Sequence, residues 1–295
     1  MTVVTTTQAH VGTAPSPPPL RSSFTSSRIA FGAMLLRDLV VLKKRLREFI
    51  PRTLIQPFLL CFVFLYVFPT IGQGVGGGHG AAGESAFATI LVAGVVGLSI
   101  MFQGIQAVAL PMVQEFGYTK EIEDRVLAPL PVSLVAIEKV LFGAIQGLLA
   151  AAIVFPIAAV VHASGVHINL QVHWLQLITL IPLSCIACSS LGLTFGTIFD
   201  PRTVPLLFGI IILPLTFLGG TYYSWTTLAP VTIGGFHWLQ ILVLVNPLIY
   251  INEGMRGALT SAPHMSLWVV YPVLLGFSAL FLWTGTRNFR RRVIS

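Results

Sequence analysis

Charged side chains are scarce in this chain: its 295 residues include 10 Asp and Glu and 17 Lys and Arg, 9% in all, against 55% hydrophobic residues. A soluble domain of this length has too little interior to hide so many apolar side chains, and this composition excludes one. Cysteine is sparse too. Cys61, Cys185 and Cys188 all lie inside apolar runs, so a disulfide framework is excluded. Cys185 and Cys188 share a helix face at i, i+3, no second pair completes four metal ligands, and they read as small packing residues. The chain has no Gly-x-x-x-x-Gly-Lys-Ser/Thr loop, so it cannot cradle ATP phosphates in that way. It also lacks His-Glu-x-x-His, Gly-x-Ser-x-Gly and any membrane-buried Asp pair, so it carries no recognisable catalytic set.

What it has instead is six long apolar runs, at 54–72, 87–113, 136–161, 174–198, 204–222 and 266–284. Each has about 20 residues or more, enough at about 1.5 Å per residue to cross a hydrocarbon core about 30 Å thick. Mean hydropathy is +0.86. With both termini cytoplasmic, sixteen of the seventeen Lys and Arg residues sort to one face. These are Arg21, Arg28, Arg37, Lys43, Lys44, Arg45, Arg47 and Arg52 before the first run, and Lys120, Arg125 and Lys139 between the second and third. Arg202 lies between the fourth and fifth, and Arg287, Arg290, Arg291 and Arg292 follow the last. Only Arg256 falls outside. Cytoplasmic enrichment of Lys and Arg orients membrane proteins. The net charge of +7 is then an orientation signal and not a nucleic-acid footprint. The expected product is an all-α, multi-pass protein of the cell membrane with six transmembrane helices and cytoplasmic N and C termini.

The connections divide the chain further. Residues 1–27 are rich in Thr, Ser and Pro and read as a disordered cytoplasmic tail. Over 28–50, Phe31, Met34, Leu35, Leu39, Leu42, Leu46 and Phe49 form one helical stripe beside a basic face. This spacing predicts an amphipathic helix in the membrane interface, its apolar side in lipid, broken by Pro51 before the first span. The Gly-rich stretch 72–83 reads as a flexible external turn. Segment 114–132 concentrates charge: Glu115, Lys120, Glu121, Glu123, Asp124 and Arg125. Lys120 to Leu127 can form about two helical turns ended by Pro129, a short charged element suited to docking in a partner's groove. An ordinary solvated loop fits the same residues. Residues 220–262 form a long external segment with short helices before the last span, and 286–295 a basic cytoplasmic tail. Trp225 and Trp238 suit the headgroup boundary. Six external histidines, His79, His162, His167, His173, His237 and His264, match no metal-ligand spacing.

The six runs, the interfacial helix and the loop Glu115-Phe116-Gly117…Leu127-Ala128-Pro129-Leu130 together resemble the permease subunits of ABC-2 type transporters, which include drug-resistance and polysaccharide-export members. Asn246-Pro247-Leu248-Ile249-Tyr250, followed by Met255-Arg256, is similar to that family's Asn-Pro-Leu-x-Tyr…Arg element. The loop departs from the family pattern in having Tyr118-Thr119-Lys120 between Gly117 and Glu121, and one residue fewer between Leu127 and Pro129. The resemblance covers residues 28–285 as one transmembrane domain. It implies that Glu115, Gly117, Glu121, Ile122, Asp124, Arg125, Leu127 and Pro129 belong to a coupling segment contacted by a separate nucleotide-binding ATPase. It places Asn246, Pro247, Tyr250 and Arg256 at the exit or gate. It implies that the chain holds no cofactor, that ATP and Mg sit in the ATPase partner, and that a second permease protomer completes the path.

The residues support an energised partner on their own account. No Asp, Glu, Lys or Arg lies at mid-depth in the six runs, Glu138 and Lys139 standing at the mouth of the third. Proton-coupled carriers keep such a group in the membrane. Gly94 with Gly97, Gly143 with Gly147 and Gly192 with Gly196 are candidate sites of close helix approach, including contact between protomers. Arg256 has two available roles: pairing with Glu253 three residues earlier, or holding an anionic headgroup or closing the gate. The expected function is a permease exporting an amphiphilic cargo (a drug, a lipid or a lipid-linked glycan) under power from a separate ATPase. A non-transporting assembly or sensing subunit, or an ion-coupled secondary carrier, remains as an alternative.

Overall fold

The computed structural model describes residues 23–71, 81–119, 130–163, 165–199, 203 and 208–294. The first helices are α1 (Ser23–Lys44) and α2 (Leu46–Cys61), the latter prolonged by a π-helical stretch Phe62–Val67 and a last turn Phe68–Thr70. There follow α3 (Ala81–Gln114), ending in a π turn Glu115–Thr119, then α4 (Val132–Val160) and α5 (Trp174–Ile198). The last four are α6 (Leu213–Phe217), entered through Phe208–Ile212, α7 (Trp238–Val243), α8 (Pro247–Leu259) and α9 (Leu267–Ile294). Among the described residues five helices are long and apolar enough to cross a bilayer: Leu46–Thr70, Gly83–Gly117, Val132–Val160, Trp174–Ile198 and Leu267–Val293. Of the expected run 204–222, the helical part described is Phe208–Phe217, after which the chain turns at 218–220. Gly220, at φ 68°, takes the left-handed backbone that this turn requires.

The amphipathic stripe forms as its spacing predicts, but it faces protein. Ala30, Phe31 and Met34 pack against the cluster built by Val135, Ala136, Val140 and Phe289, while Ile29, Leu36, Val40 and Val41 are left exposed. The break before the first span comes at Arg45, not at Pro51, which sits inside α2. Leu46 therefore belongs to α2, so the stripe 31–49 is carried by two helices.

α5 is the centre of the bundle and lies against α3, α4 and α9. Its small residues Ser184, Cys185, Ala187, Cys188, Ser189, Ser190 and Gly192 are all buried. They let backbones approach closely, which is how helices associate where lipid removes the hydrophobic drive. A Cβ on Gly192 would stand 2.7 Å from the carbonyl oxygen of Ile105, and one on Gly196 2.8 Å from Met112 Cβ. Gly143 similarly meets Val108 and Ser189, and Gly147 meets Cys185 Sγ. Thus the Gly-x-x-x-Gly pairs of α4 and α5 are spent on contacts within one protomer. Cys185 is the small partner of Gly147, and Cys188 is that of Gly104 on α3.

Helix irregularities are compensated locally. Pro69 has no N–H to give the Leu65 carbonyl, and that oxygen accepts instead from Ala163 N at 2.9 Å, pinning the α4–α5 connection to the end of the first span. Replacing Gly192 by Leu forces side-chain atoms into the α3 backbone and is expected to cost at least about 1–3 kcal/mol. A lowered melting temperature of the purified protein in detergent, followed by size-exclusion fluorescence, checks this. Gly276→Leu, where a Cβ meets nothing within 4 Å, is expected to melt as wild type.

Candidate functional site

Two clusters of charge are built into this apolar bundle. The first lies at the end of α3. Glu115 and Lys139 are 6% and 5% exposed, and Lys139 Nζ donates to Glu115 Oε1, joining α3 to the first turns of α4. Glu138 is fully buried beside them. The next residue, Phe116, meets the Phe289 ring edge-on with centroids 5.7 Å apart, and the Arg292 guanidinium lies 5.0 Å from its centre. A cation over an aromatic face is favoured by the ring quadrupole. Arg292 Nη1 also donates to Phe199 O at 2.9 Å, with longer contacts of 3.4 Å to Gly196 O and Thr197 O. These carbonyls are the unsatisfied C-terminal acceptors of α5, and a cation there complements the helix dipole. One residue pair, Glu115-Phe116, therefore touches α4 and α9, and Arg292 carries the junction on to α5.

Of the expected coupling residues, Glu115 is in this junction and Gly117 follows it, exposed. Glu121, Ile122, Asp124, Arg125, Leu127 and Pro129 lie outside the described residues. Leu130 packs under α4 and α9 in the same apolar cluster as Val135 and Phe289.

The second cluster is α8, all thirteen residues of which are buried. Its start is written in the sequence. Asn246 Oδ1 accepts from Leu248 N at 2.9 Å as an N-cap, and Pro247 fills the first helical position, where no N–H is needed. Asn246 Nδ2 reaches Leu215 O at 2.6 Å, and Tyr250 Oη donates to Leu244 O at 3.1 Å. The far end is closed by the α4–α5 connection: Gln171 N and His173 N donate to Leu259 O and Ala258 O at 2.9 and 2.8 Å. Arg256 and Glu253, both 0% exposed, pair at 2.6 Å. Glu253 accepts in addition from Ser224 Oγ (3.2 Å), Trp225 N (2.7 Å) and Met265 N (2.8 Å). Arg256 Nη2 donates to Gly220 O and, at 2.7 Å, to Tyr223 O. The pair thus ties α8 to the turn after α6 and to the approach to α9. Asn252 Nδ2 adds Gly219 O at 2.7 Å and Thr221 Oγ1 at 3.1 Å.

So Asn246, Pro247, Tyr250 and Arg256 come together as the capping and clamping groups of one buried helix. Glu253, foreseen only as a possible partner of Arg256, is the hub of that clamp. Arg292 was read as an orientation charge, and nothing in its spacing marks it as a junction residue. Among the described residues, no group of three His, Cys, Asp or Glu side chains is placed to hold a metal ion.

Apolar spans, a short helix buried between them, and ionic groups gathered at one end and around that helix define a membrane transport domain. The ABC-2 type transporter family matches residues 30–260, and the chain belongs to that family. The inner membrane transport permease YadH of Escherichia coli K12 is 27% identical over 237 residues, covering 78% of this chain and 84% of its own length. The protein of the same name from Shigella flexneri matches to the same extent.

Removing one partner from a buried ion pair strands the other, at a cost of about 3–5 kcal/mol. Arg256→Met is expected to lie at the upper end, because it also strands the Gly220 and Tyr223 carbonyls, and Arg256→Lys to fall between it and wild type. The double change Glu253→Gln with Arg256→Met should not restore stability, since those carbonyls stay unpaired. Thermal melting of the four proteins in one detergent orders them.

Proposed function

We propose that this chain is the permease subunit of an ATP-driven exporter, with cytoplasmic termini, moving an amphiphilic cargo across the cell membrane under power from a separate nucleotide-binding subunit. One observation carries the coupling: Glu115-Phe116 joins α3 to α4 and α9, and to α5 through Arg292. A push delivered to the segment 114–132 at that point reaches four helices at once. Glu121, Ile122, Asp124, Arg125, Leu127 and Pro129 would supply the surface for the ATPase, and ATP and Mg would be held by that partner.

We read the bundle as six crossings, and the packing of α1 supports an even number. Phe31 and Met34 of α1 pack into the apolar cluster that also holds Phe289 of α9, which favours both termini at one end of the bundle. The sixth crossing would come from the run 204–222, whose described part is Phe208–Phe217. The sorting of Lys and Arg then assigns that end to the cytoplasm. In this orientation α1 lies at the cytoplasmic interface, with Ile29, Leu36, Val40 and Val41 available to lipid. The clamp of α8 by Asn246, Tyr250 and Arg256 would form the outer gate, and a second permease protomer would complete the path.

In vesicles holding the permease with its ATPase, Glu121→Lys with Asp124→Lys is expected to reduce stimulated ATP hydrolysis to the unstimulated level while membrane insertion is unchanged. Stimulation that persists in this double variant removes the coupling role. Transport stopped by an uncoupler but not by vanadate removes the ATP-driven reading in favour of a secondary carrier.

A further inference from the structure

Between α1–α2 on one side and α3–α4 on the other lies a cavity of about 370 Å³, within the size range of small-molecule sites. Its walls are polar in a way that lipid contact does not explain. α3 presents Gln103, Gln106 and Gln114, α4 presents Gln146, and the start of α2 presents Arg45, Glu48 and Arg52. The three charged residues follow each other at spacings of three and four, so they share one face of the first turns of α2. Gln146 is central in Val132–Val160, and Gln103 to Gln114 covers about 16 Å along α3, so the cavity runs from the terminus-bearing end towards mid-bundle.

Part of this polarity is tied up internally. Thr53 Oγ1 donates to Gln103 Oε1 at 3.2 Å, and Gln103 Nε2 to Gln146 Oε1 at 3.0 Å, a ladder from α2 through α3 to α4. Three groups keep spare donors. Arg52 makes a single long hydrogen bond, Nη2 to Gln106 Oε1 at 3.4 Å, and among the described residues nothing accepts from the amide nitrogens of Gln106 and Gln146. Donors that line a cavity between apolar helices need water or a bound ligand to take them.

We infer that this cavity binds the headgroup of an anionic phosphodiester lipid that carries hydroxyl groups. Arg45 and Arg52 against Glu48 leave one net positive charge, matching a phosphodiester monoanion. Arginine forks suit phosphate oxygens, and the glutamine amides and Glu48 offer partners to hydroxyls deeper in and at the rim. A lipid is favoured over free phosphate because Val41, on the cavity wall, and Ile55, three residues beyond Arg52 on the same face of α2, are exposed apolar residues that extend the charged rim with a lipophilic surface. The inference rests on the permease reading only in taking this end as cytoplasmic.

Binding is measured on the purified full chain in neutral detergent, by anisotropy of a fluorescent short-chain phosphatidylglycerol. Dihexanoyl-phosphatidylglycerol is expected to displace the probe at concentrations about ten-fold or more below dihexanoyl-phosphatidylcholine, and sodium phosphate with glycerol is expected not to displace it. Arg52→Gln should weaken binding about ten-fold, the size of one charge-assisted hydrogen bond, and Gln106→Leu about five-fold. Arg47→Gln, which removes the same charge from an exposed position outside the cavity, should change it less than about two-fold. Equal losses for Arg47→Gln and Arg52→Gln overturn the site in favour of general surface attraction. Displacement by the choline lipid at the same concentration, or by phosphate with glycerol, overturns the assigned headgroup. The assay needs neither an ATPase nor a gradient, so it stands or falls separately from ATP-driven transport.

Discussion

A peptide group without water must find its partner inside the protein, and in this molecule that constraint centres on α8. The helix is enclosed on all sides, and the turn it packs against leaves Gly219, Gly220 and Tyr223 carbonyls pointing into the bundle. A longer helix would satisfy such groups by continuing; a turn cannot. Arg256 and Asn252 take them, and Glu253 holds Arg256 while also taking the N–H groups of Trp225 and Met265. A buried ion pair is seldom a net source of stability, because desolvation cancels the attraction. Here it is better understood as what satisfies the irregular backbone of the turn and of the approach to α9 within the bundle. The same logic explains why the ends of α8 are closed by Asn246 on one side and by Gln171 and His173 on the other.

The two charged clusters are linked by α3. Near its last turns it holds Glu115 and Phe116 against α4 and α9. Nearer its start, Gly94 lies under Thr221 and Gly97 under Asn252, at spacings that admit no side chain: a Cβ on Gly97 would stand 2.1 Å from Asn252 Oδ1. Between them Gly104 meets Cys188 of α5. α3 thus presses directly onto the clamp through Gly94 and Gly97 near its middle and onto the charged junction at its last turn. A tilt of α3 alters both sets of contacts together, because close-packed glycine contacts have no slack to absorb it. This gives a two-ended element a physical basis without a chain of side-chain relays.

Much of this was legible in the amino-acid sequence, and the misses have a common cause. Five of the six apolar runs, the stripe from Phe31 to Phe49, the Asn-Pro helix start and the i, i+3 spacing of Glu253 and Arg256 appear in the structure as periodicity and capping rules place them. Periodicity says which residues share a face; it does not say whether that face meets lipid or protein, since both are apolar. For that reason the stripe was assigned to lipid when it packs on α4 and α9. The Gly-x-x-x-Gly pairs were likewise candidates for a second protomer when their partners are Ile105, Met112, Val108 and Cys185 of the same chain. Pro51 misled in a different way. A proline costs the helix one hydrogen bond, a loss that α2 absorbs at Pro51, and the break falls at Arg45, whose φ of −101° and ψ of 14° leave the helical range. The turns of segment 220–262 do not announce how deeply its short helix is packed: all thirteen residues of α8 are buried.

The basic residues show how one sequence signal can contain several physical roles. Sorting by topology treats every Lys and Arg alike, as a charge kept on one side. In the structure Lys43, Lys44 and Arg47 are exposed. Lys139 is buried against Glu115, Arg292 closes the end of α5 and covers Phe116, and Arg45 and Arg52 line a polar cavity. What separates the groups is geometry that only the packed helices supply. Lys139 follows Glu138 in the first turns of α4, where the end of α3 comes close enough to offer a carboxylate. Arg292 lies far enough along α9 to overhang the end of α5. Arg256, the single exception to the sorting, is also the largest fully buried side chain among the described residues. A cation whose two terminal nitrogens are committed to a carboxylate and two carbonyls inside the fold no longer presents itself as a free charge, so the sorting of surface charge does not apply to it.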